Sequence, residues 1–185
     1  MRVITGTARG RKLNTLEGMD VRPTTDKVKE AIFSIVHFDI DGSEVLDLFA
    51  GSGQLGIEAL SRGAKRCTFV DSAVKSIKTV NENLKITGFT EQASVLNTDS
   101  AGYLRTCRYT FDIAFLDPPY EKGILEEVLP LLEKHMSDRG IVVCEHEQKL
   151  VLPDEFGRLK KAKTYKYGKI EVTLYRVPFG DDTEE

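Results

Sequence analysis

A chain of 185 residues that is 41% hydrophobic and 30% charged has room and apolar content for one ordinary domain with a short appendage. No apolar run approaches the ~20 residues of a membrane span, and the N-terminus MRVITGTARGRKL lacks the apolar stretch of a secretory signal. Three cysteines with no Cys-x-x-Cys pair argue against a disulfide framework or a zinc site, so the chain is expected to be cytoplasmic, without membrane or metal. The net charge of −3 hides an uneven distribution. Residues 178–185 read as a disordered acidic tail ending in DDTEE. Two stretches are basic with no acid among them: Arg2, Arg9, Arg11 and Lys12, and then Arg158, Lys160, Lys161, Lys163, Lys166 and Lys169. Either could be a solvated face or an electrostatic footprint for nucleic acid.

In chain order, residues 2–5 and 11–15 predict a short hairpin around Gly6 and Gly10. Arg22-Pro-Thr-Thr25 then leads into a helix, with Thr24 or Thr25 as cap and Val28, Ala31, Ile32, Ile35 and Val36 on one stripe. Lys27, Lys29 and Glu30 fall off that stripe. From Glu44 onward short apolar runs at 45–50, 67–70, 93–96, 113–116 and 141–144 predict strands buried on both faces. Helical patterns at 54–62, 73–87, 100–107 and 122–136 alternate with them. In the second of these, Val74, Ile77, Val80, Asn81 and Leu84 share a face and Gly88 is a C-terminal cap. The alternation predicts an α/β fold with a parallel, doubly wound sheet. Two β-rich runs, 158–167 and 169–177, close it as an antiparallel hairpin turning at Gly168.

The segment Asp47-Leu-Phe-Ala-Gly51-Ser-Gly53-Gln-Leu-Gly56 follows a strand and opens a helix, so its glycines allow a sharp turn and close approach to a ligand. Asp71, twenty residues after Gly51, ends the next strand where a carboxylate can accept both ribose hydroxyls. Asp99 follows the third strand and could reach an adenine amino group. The candidate cofactor residues are therefore Asp47, Phe49, Ala50, Gly51, Ser52, Gly53, Asp71, Ser72, Asp99 and Ser100. Each acid could instead cap the helix after it. A nucleoside cleft of this kind serves a dinucleotide or S-adenosylmethionine equally.

Asp117-Pro118-Pro119-Tyr120 favours S-adenosylmethionine. The tetrapeptide follows the buried run Phe111–Leu116, and its prolines stiffen the loop. An exocyclic amine on a base is a poor nucleophile because its lone pair is delocalised into the ring. Hydrogen bonds from that amine to the Asp117 carboxylate and the Pro118 carbonyl would favour sp³ character at nitrogen, and Tyr120 offers a face on which the base can stack. Arg9, Arg11, Lys12 and Arg22 are candidate phosphate contacts.

Asp47–Gly53, Asp71 and Asp117–Tyr120 together resemble the class I methyltransferases that act on amino nitrogens of adenine, cytosine, guanine or glutamine. The flanks Arg2-Val-Ile-Thr-Gly6, Gly10-Arg-Lys-Leu13, the run from Arg22 to Phe33, and Tyr167-Gly168 look like the RsmD family of 16S ribosomal RNA guanine-N2 methyltransferases. The resemblance covers residues 1–177. It implies a class I Rossmann-like sheet of seven mostly parallel strands, the last antiparallel, in one domain with a core at 41–177 and a small extension at 1–40. It also implies S-adenosylmethionine as cofactor. The implied partner is 16S ribosomal RNA, in a small-subunit particle or assembly intermediate. A DNA adenine methyltransferase shares the tetrapeptide but usually carries a separate target-recognition region. A glutamine methyltransferase typically has Asn at position 117 and a larger N-terminal domain. A nicotinamide-dependent dehydrogenase would leave Asp117–Tyr120 unexplained, and a plain RNA-binding protein would leave the acids unexplained.

Overall fold

The computed structural model describes residues 1–16, 25–120 and 123–179; Arg22 and residues 180–185 of the acidic tail lie outside the described residues. The strands are β1 (Glu44–Asp47), β2 (Arg66–Asp71), β3 (Ala93–Asn97), β4 (Phe111–Leu116), β5 (Met136–Glu147), β6 (Glu155–Phe156), β7 (Leu159–Tyr167) and β8 (Ile170–Arg176). The helices are α1 (Asp26–Ile35), α2 (Gln54–Ser61), α3 (Val74–Thr87), α4 (Ser100–Thr106) and α5 (Ile124–Leu132). Among the described residues they form one sheet in the order β3-β2-β1-β4-β5-β8-β7-β6. Strands β1 to β5 are parallel to their neighbours, and β8 enters antiparallel between β5 and β7. The two-residue β6 is an eighth strand beyond the seven expected, added where Glu155 and Phe156 pair back onto β7. Among the described residues no helix is long and apolar enough to cross a membrane.

The central strands β1, β4 and β5 are buried on both faces, as their near-continuous apolar runs require, whereas the run at 93–96, expected to be so, is the edge strand β3 and is partly exposed, Leu96 at 39%. One core cluster joins Val3, Ala8 and Leu13 with side chains of α1, α2 and α3; the other lies under α4 and α5. The expected N-terminal hairpin is reduced to one antiparallel bridge, Arg2 with Lys12, and a few backbone hydrogen bonds around it. This arm descends one flank of α2 and returns. Met1 lies at Ser52, Gly6 packs on Ser61 at the far end of α2, and Leu16 comes back to Gly51. A Cβ at Gly6 would sit 1.7 Å from the Ser61 carbonyl oxygen, and its φ is +89°, so only glycine fits there.

Three further expectations need correction. On α1 the expected stripe packs inward, with Val28, Ile32 and Val36 buried and Ala31 and Ile35 partly so, but Lys29, expected off it, is fully buried and Phe33 joins the core. Burial is possible because Lys29 meets the carboxylate of Glu58, also fully buried, at 3.5 Å. On α3 the inward face is Ser76, Thr79, Val80, Asn83, Leu84 and Thr87, leaving Val74 exposed and Asn83 in place of Asn81. The face is turned by polar contacts that apolar periodicity cannot register. Finally, α5 ends at Leu132, after Pro130 has removed a backbone donor, and Met136 already belongs to the twelve-residue β5.

Candidate active site

The parallel strands deliver their C-terminal ends to one edge. Register pairs Asp47 with Phe69 on one side and with Phe115 on the other, so β2, β1 and β4 end side by side. Asp71 follows Phe69 by two residues and Asp117 follows Phe115 by two. They lie two strands apart, about 10 Å, with the turn Leu48–Gly53 between them.

The two glycines of the turn and Gly56 in α2 answer different needs. At Gly51 φ is +56° and a Cβ would meet only Leu16 Cδ1 at 4.0 Å, so the space over the turn is open. At Gly53 φ is +80°, which lets the chain reverse into α2. At Gly56 a Cβ would collide with the Phe69 ring at 2.3 Å, so this glycine serves helix-on-strand packing. Phe49 is half-buried against the α4–α5 side of the core, and Ala50 and Ser52 are buried.

Asp47 lies beneath the turn. It is 2% exposed, and its carboxylate accepts the Gly56 N–H at 3.0 Å. That contact supports the start of α2. Burial pushes its pKa up to about 7, opposed by the Gly56 hydrogen bond and reinforced by the charge of Asp71. An acid whose pKa is higher folded than unfolded makes the folded state bind more protons. The stability it allows is therefore full below about pH 4 and is lost as pH rises towards 7. Asp47→Asn, which cannot ionise, should gain on the parent protein as pH rises from 4 to 7, in urea midpoints. A difference independent of pH would contradict an ionising Asp47.

Asp71 is held rigidly at the strand end. One carboxylate oxygen accepts the Gly51 N–H at 2.9 Å and the other the Ala73 N–H at 2.8 Å. Each oxygen keeps a lone pair for a ligand hydroxyl. Asn97, absent from the expected site, donates to the carbonyls of Asp71 and Ser72, both at 3.0 Å, and fixes the loop that carries exposed Ser72. Asp99 is exposed and caps α4 by accepting the Gly102 N–H at 2.7 Å, with Ser100 opening the helix.

Past β4, Asp117 is half-buried, Pro118 buried, Pro119 exposed and Tyr120 50% exposed, so the tetrapeptide presents an aromatic face at the rim. Register pairs Leu116 with Cys144, and the next residues along these strands are Asp117 and Glu145. Glu145 is 5% exposed, a buried acid at the same strand edge that the sequence reading did not single out. Its signal was a charge continuing an apolar strand, IVVCE, at its C-terminal end.

The described basic candidates lie on the N-terminal arm. Arg9 is exposed near the tip of the arm, about 12 Å of helix from the turn by the length of α2. Arg11 donates to the Ile86 carbonyl at 2.6 Å, where its charge complements the C-terminal end of α3. Lys12 is exposed beside Arg2. Arg22 lies outside the described residues.

The residues present fit S-adenosylmethionine. The turn has open space above Gly51, Asp71 offers a pinned pair of acceptors, and the buried Gln54 Oε1 at the start of α2 has no hydrogen-bond partner among the described residues.

Comparison with known proteins agrees. The family described as "Conserved hypothetical protein 95" matches residues 1–176. YlbH of Bacillus subtilis is 44% identical over 181 residues, covering 95% of this chain and 98% of that protein. Ribosomal RNA small subunit methyltransferase D of Haemophilus influenzae is 37% identical over 183 residues, covering 95% and 93%. The solved structure of yhhF from Escherichia coli superposes with a TM-score of 0.86 at 34% identity, covering 96% of this chain and 97% of that one. An RNA methyltransferase from Salinibacter ruber, solved with S-adenosyl-L-homocysteine, shares the fold at 18% identity and a TM-score of 0.65, covering 89% and 100%. The chain belongs to the RsmD family of S-adenosylmethionine-dependent methyltransferases.

Proposed function

We propose that this protein methylates the exocyclic N2 amine of a guanine in 16S ribosomal RNA, presented by a small-subunit particle or an assembly intermediate. The observation that carries the reading is the adjacency of Asp71, the glycine turn and Asp117–Tyr120 on neighbouring strand ends, in a chain related over nearly its whole length to small-subunit methyltransferases.

S-adenosylmethionine, when bound over the turn, supplies an electrophilic methyl group on a sulfonium sulfur. The protein's own part is positioning. Asp71 holds the ribose. Asp117 and the Pro118 carbonyl accept the two N–H bonds of the target amine and set its lone pair at the methyl carbon. As the new C–N bond forms, the C–S bond breaks with its electron pair left on sulfur. The nitrogen becomes acidic only then, and its proton passes to the Asp117 carboxylate or to water. Tyr120 stacks on a base that has left its helix.

The experiment offers methyl-labelled S-adenosylmethionine with small-subunit particles, deproteinised ribosomal RNA or duplex DNA at one salt concentration. Particles should take up the most label; equal or greater uptake into DNA would overturn the ribosomal reading.

A further inference from the structure

We infer that Asn83 is a positioning residue that couples the cofactor turn to the N-terminal arm, so that cofactor and RNA bind with positive cooperativity. The inference rests on reading Leu48–Gly53 as the cofactor turn and the basic arm as an RNA contact.

Asn83 sits on the inward face of α3 and is fully buried. Both of its amide hydrogens and its oxygen are engaged. Its oxygen accepts the Asn14 N–H at 2.7 Å, and its nitrogen donates to the Asn14 carbonyl at 3.0 Å and to the Ser52 carbonyl at 2.8 Å. Asn14 follows Arg11 and Lys12 on the returning half of the arm. Ser52 lies between the two positive-φ glycines of the turn. One buried side chain thus grips the backbone of both segments. A looser contact runs alongside it, Ser52 Oγ to Met1 Sδ at 3.9 Å.

A turn built on two glycines has conformational freedom to lose when it closes on a ligand. Ordering it orders the Ser52 carbonyl, hence the Asn83 amide, hence Asn14. RNA that next engages the arm finds it already set and loses less entropy on binding. Linkage makes the effect reciprocal: S-adenosylhomocysteine must tighten RNA binding by the same factor as RNA tightens S-adenosylhomocysteine. Side chains of similar shape lack this capacity, because Leu has no polar atoms and Asp cannot donate to the two carbonyls.

The test uses the full chain, S-adenosylhomocysteine and deproteinised small-subunit ribosomal RNA. In the parent protein, saturating S-adenosylhomocysteine should slow hydrogen exchange at the Asn14 amide and tighten RNA binding by about fivefold or more. In Asn83→Ala that ratio should fall to near one while S-adenosylhomocysteine still binds. A purely structural Asn83 would weaken both affinities and leave the ratio intact, which would overturn the coupling. Should the variant fail to fold, the parent protein decides alone. Unchanged Asn14 exchange and unchanged RNA affinity under saturating S-adenosylhomocysteine would overturn it. No binding of S-adenosylhomocysteine at all would instead remove the cofactor reading, and the coupling with it.

Discussion

Asp117→Ala should lose at least about 100-fold in methyl transfer while its affinity for S-adenosylhomocysteine stays within a few-fold. The magnitude follows from positioning, since misplacing a reacting group by about 1 Å costs on the order of 10²-fold. The selectivity follows from topology. Asp117 stands at the end of β4, whereas the residues assigned to the cofactor stand on the turn after β1 and at the end of β2. Removing its carboxylate deprives the target amine of an acceptor and leaves Asp71 and the glycine turn in place. Single-turnover rates with small-subunit particles, set beside calorimetric titration of S-adenosylhomocysteine, separate the two effects. Loss of affinity and of thermal stability together with activity would mean that the carboxylate holds the Pro118-Pro119 turn and has no direct part in the reaction.

Glu58→Ala should cost about 3–5 kcal/mol of stability, because it strands a buried cation. Glu58 and Lys29 have fully buried side chains 3.5 Å apart. Glu58 also accepts the Ile4 N–H at 2.8 Å, the Thr5 N–H at 2.9 Å and Arg62 Nε at 2.9 Å, while Lys29 Nζ donates to the Arg2 carbonyl at 2.7 Å. Burial holds the Lys29 pKa below the usual lysine value, and the charge of Glu58 opposes that fall. Without Glu58 the ammonium loses its counter-ion, and the two arm amides lose their acceptor. Urea unfolding of the variant measures the loss directly. Lys29→Met combined with Glu58→Ala should be more stable than Glu58→Ala alone, since no buried charge remains unpaired. A loss under 1 kcal/mol for Glu58→Ala would show that the pair is solvated and does not fasten the arm.

The frame of the site is legible in the sequence because it is written in short apolar runs. VLD, FVD and FLD each end a buried strand on an acid, and in a parallel sheet such acids arrive at one edge. The closing hairpin is equally plain, with Gly168 between two β-rich runs that become β7 and β8. The fastening of the arm is not legible. Lys29 and Glu58 are 29 residues apart and carry ordinary surface side chains; only their meeting across α1 and α2 makes burial tolerable. Asn83 loses to Asn81 on apolar periodicity because its partners, Asn14 and Ser52, are distant in the chain. Nothing local announces that Arg11 also reaches the last turn of α3. Buried polar contacts of this kind are specified by pairs, and a single sequence displays only one member at a time.

The identity of the methylated nucleoside tests the central claim most directly. Small-subunit particles labelled through S-adenosylmethionine are digested to nucleosides and separated by chromatography. The label should elute as N2-methylguanosine, as expected if Asp117 and Pro118 hold the guanine amine. Label eluting as N6-methyladenosine would contradict the guanine assignment.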